Sequence, residues 1–408
     1  MNIHKTRHNL FRLATALAAL AMLVLSSCAS DNDEAQDADG KTVVVVFQLS
    51  IPRTENASTR SATDATAAGN ELEHRLRHLH VVLYATDGTF IAQEEGLRIT
   101  PLTTSTAGNY EYTANVEVSM QIPDRYRTSK YTPFTGELVV YANTDIPASA
   151  GYTSADISAL TFRLSSNTDP DALPMWGMRN ITAADNVKLT AGTRNDLTSG
   201  TAIDLMRSVA KVTVDLTEEM VDDGWTFETL KLTKYNTEGY VLPKGYFSGA
   251  TAPYTFYTAT RLMTYPDDDN TARFNPYTAA DGTLNGGALD DLYFNDGTTA
   301  TAGKTLYIPE YDNTSTGVTP ATIDLTLLHK GVRETDDNGN QIAYRLRFAN
   351  YNSETVTHGD YDHLNGSDFN IVRNTWYQYH LYKLSEHKIG VTLTVKPWYY
   401  VEHAPIVM

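Results

Sequence analysis

At 408 residues the chain is long enough for two or three ordinary domains, and its 41% apolar content suffices for their cores. Forty-nine Asp and Glu against 32 Lys and Arg give a formal charge of −17, with no basic stripe against that background, which argues against nucleic acid as a partner. The 25 Tyr, the abundance of Thr and Val and the lack of long Ala/Leu/Glu/Lys helical patterns predict an all-β architecture.

The N-terminus has the pattern of a targeting segment. Lys5, Arg7 and Arg12 precede an apolar run from Leu13 to Leu25, too short for a stable transmembrane helix and suited to a signal peptide over residues 1–27. It ends in Leu25-Ser26-Ser27-Cys28, which looks like a bacterial lipobox. Cys28, the one cysteine of the chain, is then the lipidated first residue of the mature protein. The alternative is an ordinary signal peptide cut near Ala29. Five acids follow within residues 29–40, a solvated tether that cannot pack. The same run resembles the acidic signal that sends Bacteroidetes lipoproteins to the outside of the outer membrane.

Next comes KTVVVVFQLSI. Alternation places Val43, Val45, Phe47, Leu49 and Ile51 on one face, a strand with a fully apolar side. It stops at Pro52, and about twenty polar residues follow in which Arg53 and Arg60 are open to a protease. A cut there would separate the anchor and the strand from the rest of the chain.

HVVLYATDGTFIA reads as a hairpin turning at Asp87-Gly88. NYEYTANVEVSM is a further strand and GELVVYANTD a buried one. TSADISALTF fits a short helix capped by Thr153 or Ser154, and a short strand is expected near Val187 to Thr190. GTRNDLTSG (192–200) has the composition of an inter-domain connection. In TAIDLMRSVAKVTVDL the apolar face is Ala210, Val212, Val214 and Leu216, and the polar face includes Lys211. TFETLKLTKYN is a strand, and residues 241–303 read as long loops with short strands. TLYIPEY is a strand; ATIDLTLLHKG and NQIAYRLRFAN pair as a hairpin through Asp337-Asn338-Gly339. RNTWYQYHLYKL and KIGVTLTVKPWYY are the last strands.

Catalytic and cofactor patterns find no support, so the expectation is a non-enzyme without cofactors or metals. Gly303-Lys304-Thr305 leads into a strand rather than the helix a phosphate loop requires. His78 and His80 share a strand face without a placed acidic or cysteine ligand. Asp336 to Asn340 departs from a calcium-binding loop and reads as turn chemistry. Scattered Trp and Tyr are either cross-strand core or a glycan platform, the latter belonging to a surface glycan-binding lipoprotein that keeps its anchor.

Taken in order, the lipobox, TVVVVFQLSI with its arginine-bearing loop, RHLHVVLYATDG, ELVVYANTD, RSVAKVTVDL, LRFANYN, RNTWYQYHLYKL and the terminal VKPW resemble the fimbrillins of Bacteroidales, subunits of the type V pilus. The resemblance covers most of the chain after Cys28. It implies two transthyretin-like β-sandwich domains, Greek-key with about seven strands each, over residues 61–198 and 199–408. It further implies that a lipoprotein precursor is cut by an Arg-specific protease, that the first strand leaves, and that the C-terminal strand of another subunit enters the groove, head to tail.

Carried onto this sequence, residues 28–60 hold the tether, the displaced strand Val43, Val45, Phe47, Leu49 and Ile51, and the cut after Arg60 or, as second choice, Arg53. The donor begins near Val391, with Val391, Leu393 and Val395 on one face and Trp398 and Val401 as further apolar pegs. The implied end state is a cell-surface fimbrium whose partners are other subunits and a surface receptor of unstated kind. An anchor or tip accessory subunit of the same fimbria is the related alternative.

Overall fold

The structure, a computed structural model, describes residues 42–51, 73, 75–95, 98–102, 112–144, 146, 160–199, 202–236, 238–242, 247–248, 255–256, 291–295, 299–311, 313, 320–348, 370–385 and 388–397. Its first half forms β1 (Thr42–Ile51), β2 (Leu79–Ala85), β3 (Phe90–Glu95), β4 (Arg98–Leu102), β5 (Tyr112–Gln121), β6 (Gly136–Ala142), β7 (Thr161–Arg163), β8 (Met175–Ile181), β9 (Arg194–Asp196), β10 (Ile203–Asp204) and β11 (Met206–Arg207). One sheet runs β10-β1-β5-β4, with β9 also beside β1, and a second runs β11-β8-β6-β2-β3. Alternating apolar residues from both sheets, including Phe47, Val116, Val81 and Val140, meet in one core. The Asp87-Gly88 hairpin forms as expected: Gly88 takes φ 78°, and Asp87 accepts a hydrogen bond from the Thr89 N–H at 2.9 Å. The buried strand of GELVVYANTD is β6, flanked on both sides by β2 and β8.

The second half forms β12 (Ala210–Leu216), the short helix α1 (Glu218–Asp222), β13 (Trp225–Leu232), β14 (Glu238–Tyr240), β15 (Phe247–Ser248), β16 (Thr255–Phe256), β17 (Leu292–Tyr293), β18 (Leu306–Ile308), β19 (Thr322–His329), β20 (Val332–Arg333), β21 (Ala343–Arg347), β22 (Thr375–Ser385) and β23 (Lys388–Pro397). Here the sheets are β18-β12-β22-β23 and β17-β13-β19-β20, the latter with β21 also on β19. They enclose a second apolar cluster that includes Val212, Val214, Phe227, Leu325 and Tyr379. Strands β12 and β22 run parallel, Lys211 beside Trp376 through Leu216 beside Leu381. The molecule is all-β, with two pairs of sheets each closed over its own core.

Several local readings are corrected. No strand forms at Val187 to Thr190; the pairing segment is β9, inside the stretch read as a connection, and it lies parallel to β1. Only the end of TSADISALTF is described, and Thr161–Arg163 is strand, paired with β14. Strands β19 and β21 do pair, but the chain first reverses at Lys330-Gly331, both at positive φ, to form β20. The Asp337-Asn338-Gly339 turn is a second reversal, closed by a bridge between Thr335 and Gln341. Most of residues 241–303 lie outside the described residues.

Candidate functional site

Of the sequence elements singled out for function, the first strand is the one seated in a slot of the described structure, between β5 and β9. The inward side chains Val43, Val45, Phe47, Leu49 and Ile51 are each at most 1% exposed. On one side β1 pairs antiparallel with β5 along its whole length, from Thr42 beside Gln121 to Ile51 beside Tyr112. On the other it runs parallel to β9 and then β10. The Val44 N–H donates to the Thr193 carbonyl at 2.8 Å, and the Leu197 N–H donates to the Val46 carbonyl at 2.7 Å. Asn195 turns inward and donates through Nδ2 to the Val44 carbonyl at 3.3 Å. Outside, Arg194 of β9 reaches Glu117 of β5 at 2.8 Å, an ion pair spanning the outer face of β1.

Burying five such side chains contributes on the order of 10 kcal/mol as an upper bound. Without β1, both neighbouring strand edges and the cleft between them would be open, a template for another strand of the same alternation.

The chain next enters the described structure at Glu73, buried where the two cores meet. Its carboxylate accepts from Lys211 Nζ at 2.6 Å and from the Tyr307 hydroxyl at 2.9 Å, and its carbonyl accepts from Arg207 Nε and Nη2 at 3.2 and 3.1 Å. Lys211 Nζ also stands 4.2 Å above the Trp376 ring. Burial pushes the Glu73 carboxyl up, but the Lys211 and Arg207 charges with the hydrogen bonds from Lys211 and Tyr307 outweigh it and hold it below its ordinary value. Sequence reading placed Lys211 on a polar face; the structure buries it with this partner.

A second ionic junction is centred on Arg373, the first residue of RNTWYQYHLYKL. It is fully buried, pairs with Glu310 at 2.7 Å, and donates to the carbonyls of Tyr240, Val241 and Leu242. Asn374 beside it takes φ 51° and donates its N–H to the Val209 carbonyl. The motif thus fastens one core to the other. Sequence reading missed this because the partners lie 63 and more residues away.

The donor residues are divided. Val391 and Leu393 are buried in β23, which pairs antiparallel with β22 at the edge of its sheet, and Val395 lies in the same strand opposite Tyr377. Trp398, Val401, Cys28, Arg53 and Arg60 lie outside the described residues. His80 stands 3.4 Å from Glu95 and His78 meets it edge to face, and among the described residues no group of three or more His, Cys, Asp or Glu could hold a metal. The Asp336 carboxylate is used within its own turn by the N–H groups of Asn338 and Asn340. Trp176, Tyr84, Tyr141, Tyr377 and Tyr379 are buried, as the core reading of the aromatics expects.

Comparison with solved structures finds the tip fimbrial protein Mfa3 of Porphyromonas gingivalis, with C-terminal truncation, at 14% identity and a TM-score of 0.47, covering 88% of this chain and 100% of that one. The fimbrilin FimA of P. gingivalis matches at 15% identity and a TM-score of 0.42, over 88% and 98% of the two chains. The fimbrial anchor protein Mfa2 of P. gingivalis matches at 10% identity and a TM-score of 0.31, over 88% and 98%. No curated protein sequence matches the chain. A family profile does match, over residues 47–404, from the inner half of β1 to beyond β23. The chain therefore belongs to the family of fimbrillin-A associated anchor proteins Mfa1 and Mfa2.

Proposed function

We propose that the chain is a structural, non-enzymatic subunit of a cell-surface fimbria, exported as an outer-membrane lipoprotein through Cys28. An Arg-specific protease cuts after Arg60, or after Arg53, and β1 leaves its slot. The strand of another subunit that begins near Val391 then takes its place, and head-to-tail repetition extends the filament. The observation that carries this reading is the seat of β1, inserted between strands on both sides with its five inward side chains fully buried. Donation by Val391, Leu393 and Val395 requires β23 to peel from β22, its one neighbour among the described residues. Donation by Trp398 and Val401 alone leaves β23 in place. We take the two apolar clusters as the two domains, and count β10 and β11, which pair with β1 and β8, with the first of them.

An anchor subunit is the second reading. The matching family is described by anchor proteins, and a subunit of that kind is expected to keep its first strand. Treatment with an Arg-specific protease separates the two. A stalk subunit gives a folded product starting at Ser61 or Thr54 that assembles into ladders on unboiled gels; an anchor gives no ladder.

A further inference from the structure

The outer face of the β13-β19-β21 sheet is lined by charges that cancel, except at one end. Lys231 pairs with Asp291 at 2.7 Å, Arg333 with Glu228 at 2.6 Å, and Arg345 with Asp324 through two hydrogen bonds of 2.8 Å. Where β19 begins and β21 ends, a cleft of about 490 Å³ opens, lined by Lys234, Pro320, Thr322, Arg345, Arg347 and Phe348. That volume lies within the range of roughly 300 to 1,000 Å³ typical of ligand sites. Lys234 and Arg347 have no acidic partner among the described residues. On a chain of formal charge −17, two uncompensated cations at one concavity are a local inversion of sign.

We propose that this cleft binds an acidic peptide segment of a neighbouring protein through Lys234 and Arg347. Charge complementarity fixes the sign of the ligand, because a carboxylate supplies the counter-charge that the cleft lacks. Arg345 and Arg347 lie on the same face of β21, about 7 Å apart. Acidic side chains at alternate positions of an extended peptide have that spacing, and the second would share Arg345 with Asp324. Phe348, the one aromatic residue of the lining among the described residues, is 1% exposed and offers no ring face for a sugar to stack on. The exposed Pro320 provides an apolar contact suited to the stem of a peptide side chain.

The test uses uncleaved full-length chain, so its outcome is separate from that of strand exchange. The chain's own acidic residues 31–39 are replaced by amides to remove a competitor in cis, and a synthetic peptide of residues 29–40 is titrated in by calorimetry at low salt. Saturable binding is expected, at least tenfold weaker in Arg347→Ala and in Lys234→Ala, unchanged in Lys130→Ala, and weakened by 300 mM salt. A peptide with Asn and Gln in place of its acids should not bind. Affinity unaffected by Arg347→Ala and Lys234→Ala, no binding at millimolar peptide, or stronger binding of an oligouronate than of the peptide would each overturn the proposal.

Discussion

Glu137 and Glu73 are buried carboxyls whose surroundings give them opposite dependences on pH. Glu137 lies on β6 opposite Tyr84 and Asn180, 7% exposed, and burial pushes its carboxyl up to about 9. Between the ordinary carboxylate value and about 9 the folded chain keeps a proton that the unfolded chain releases, so stability falls as pH rises through that window. Glu137→Gln removes this dependence, with a gain at pH 8 of at most about 5 kcal/mol. Urea midpoints at pH 5 and pH 8 check it, and an unchanged pH slope in the variant would contradict the assignment. The lowered carboxyl of Glu73 has the other sign: its contribution is present above the ordinary carboxylate value and is lost as pH falls through the lower folded value.

Arg373→Met leaves Glu310 buried and unpaired and is expected to cost about 3 to 5 kcal/mol. Adding Glu310→Leu should recover most of that, since the uncompensated charge is then gone. A double variant no more stable than the single one would contradict the role given to the pair. Neither residue was legible as a junction in the sequence. Arginine at a strand start reads as solvated, and only the fold brings Glu310 and the carbonyls of residues 240–242 to it.

Among the elements, β1 was legible in character, because five apolar residues at a period of two bury as one face of a strand. Strand β9 was not. It is three residues long, its Arg194 and Asp196 are exposed, and its inward residue Asn195 is polar, so no apolar alternation marks it. What makes it a strand is the hydrogen-bonding edge of β1, which sequence alone does not display. Likewise the expected turn at Asp337-Asn338-Gly339 is present, but Lys330-Gly331 turns first. The β19 edge is long enough to take β20 and then β21 in succession. The weight resting on β1 predicts that Phe47→Ala lowers the stability of the uncleaved chain by about 3 to 5 kcal/mol. In cleaved, assembled material the same change should have no effect, because the strand has gone. Equal destabilisation of assembled fibres by Phe47→Ala would mean that β1 never leaves.

For the whole molecule, the all-β class was readable from composition and alternation and the family from a resemblance in the order of motifs, and the family profile matches over residues 47–404. The ionic junctions between the two cores and the cationic cleft were not, since each gathers residues from distant parts of the chain. At this scale, replacing Arg53 and Arg60 by alanine together should leave a lipid-anchored monomer. Ladders formed by that double variant would show that assembly does not need the cut. Protein sheared from cells and subjected to N-terminal sequencing and native mass measurement tests removal of β1 most directly. The account predicts a chain that begins at Ser61, or at Thr54, and runs as a polymer; a monomer still acylated at Cys28 and retaining residues 42–51 would contradict it.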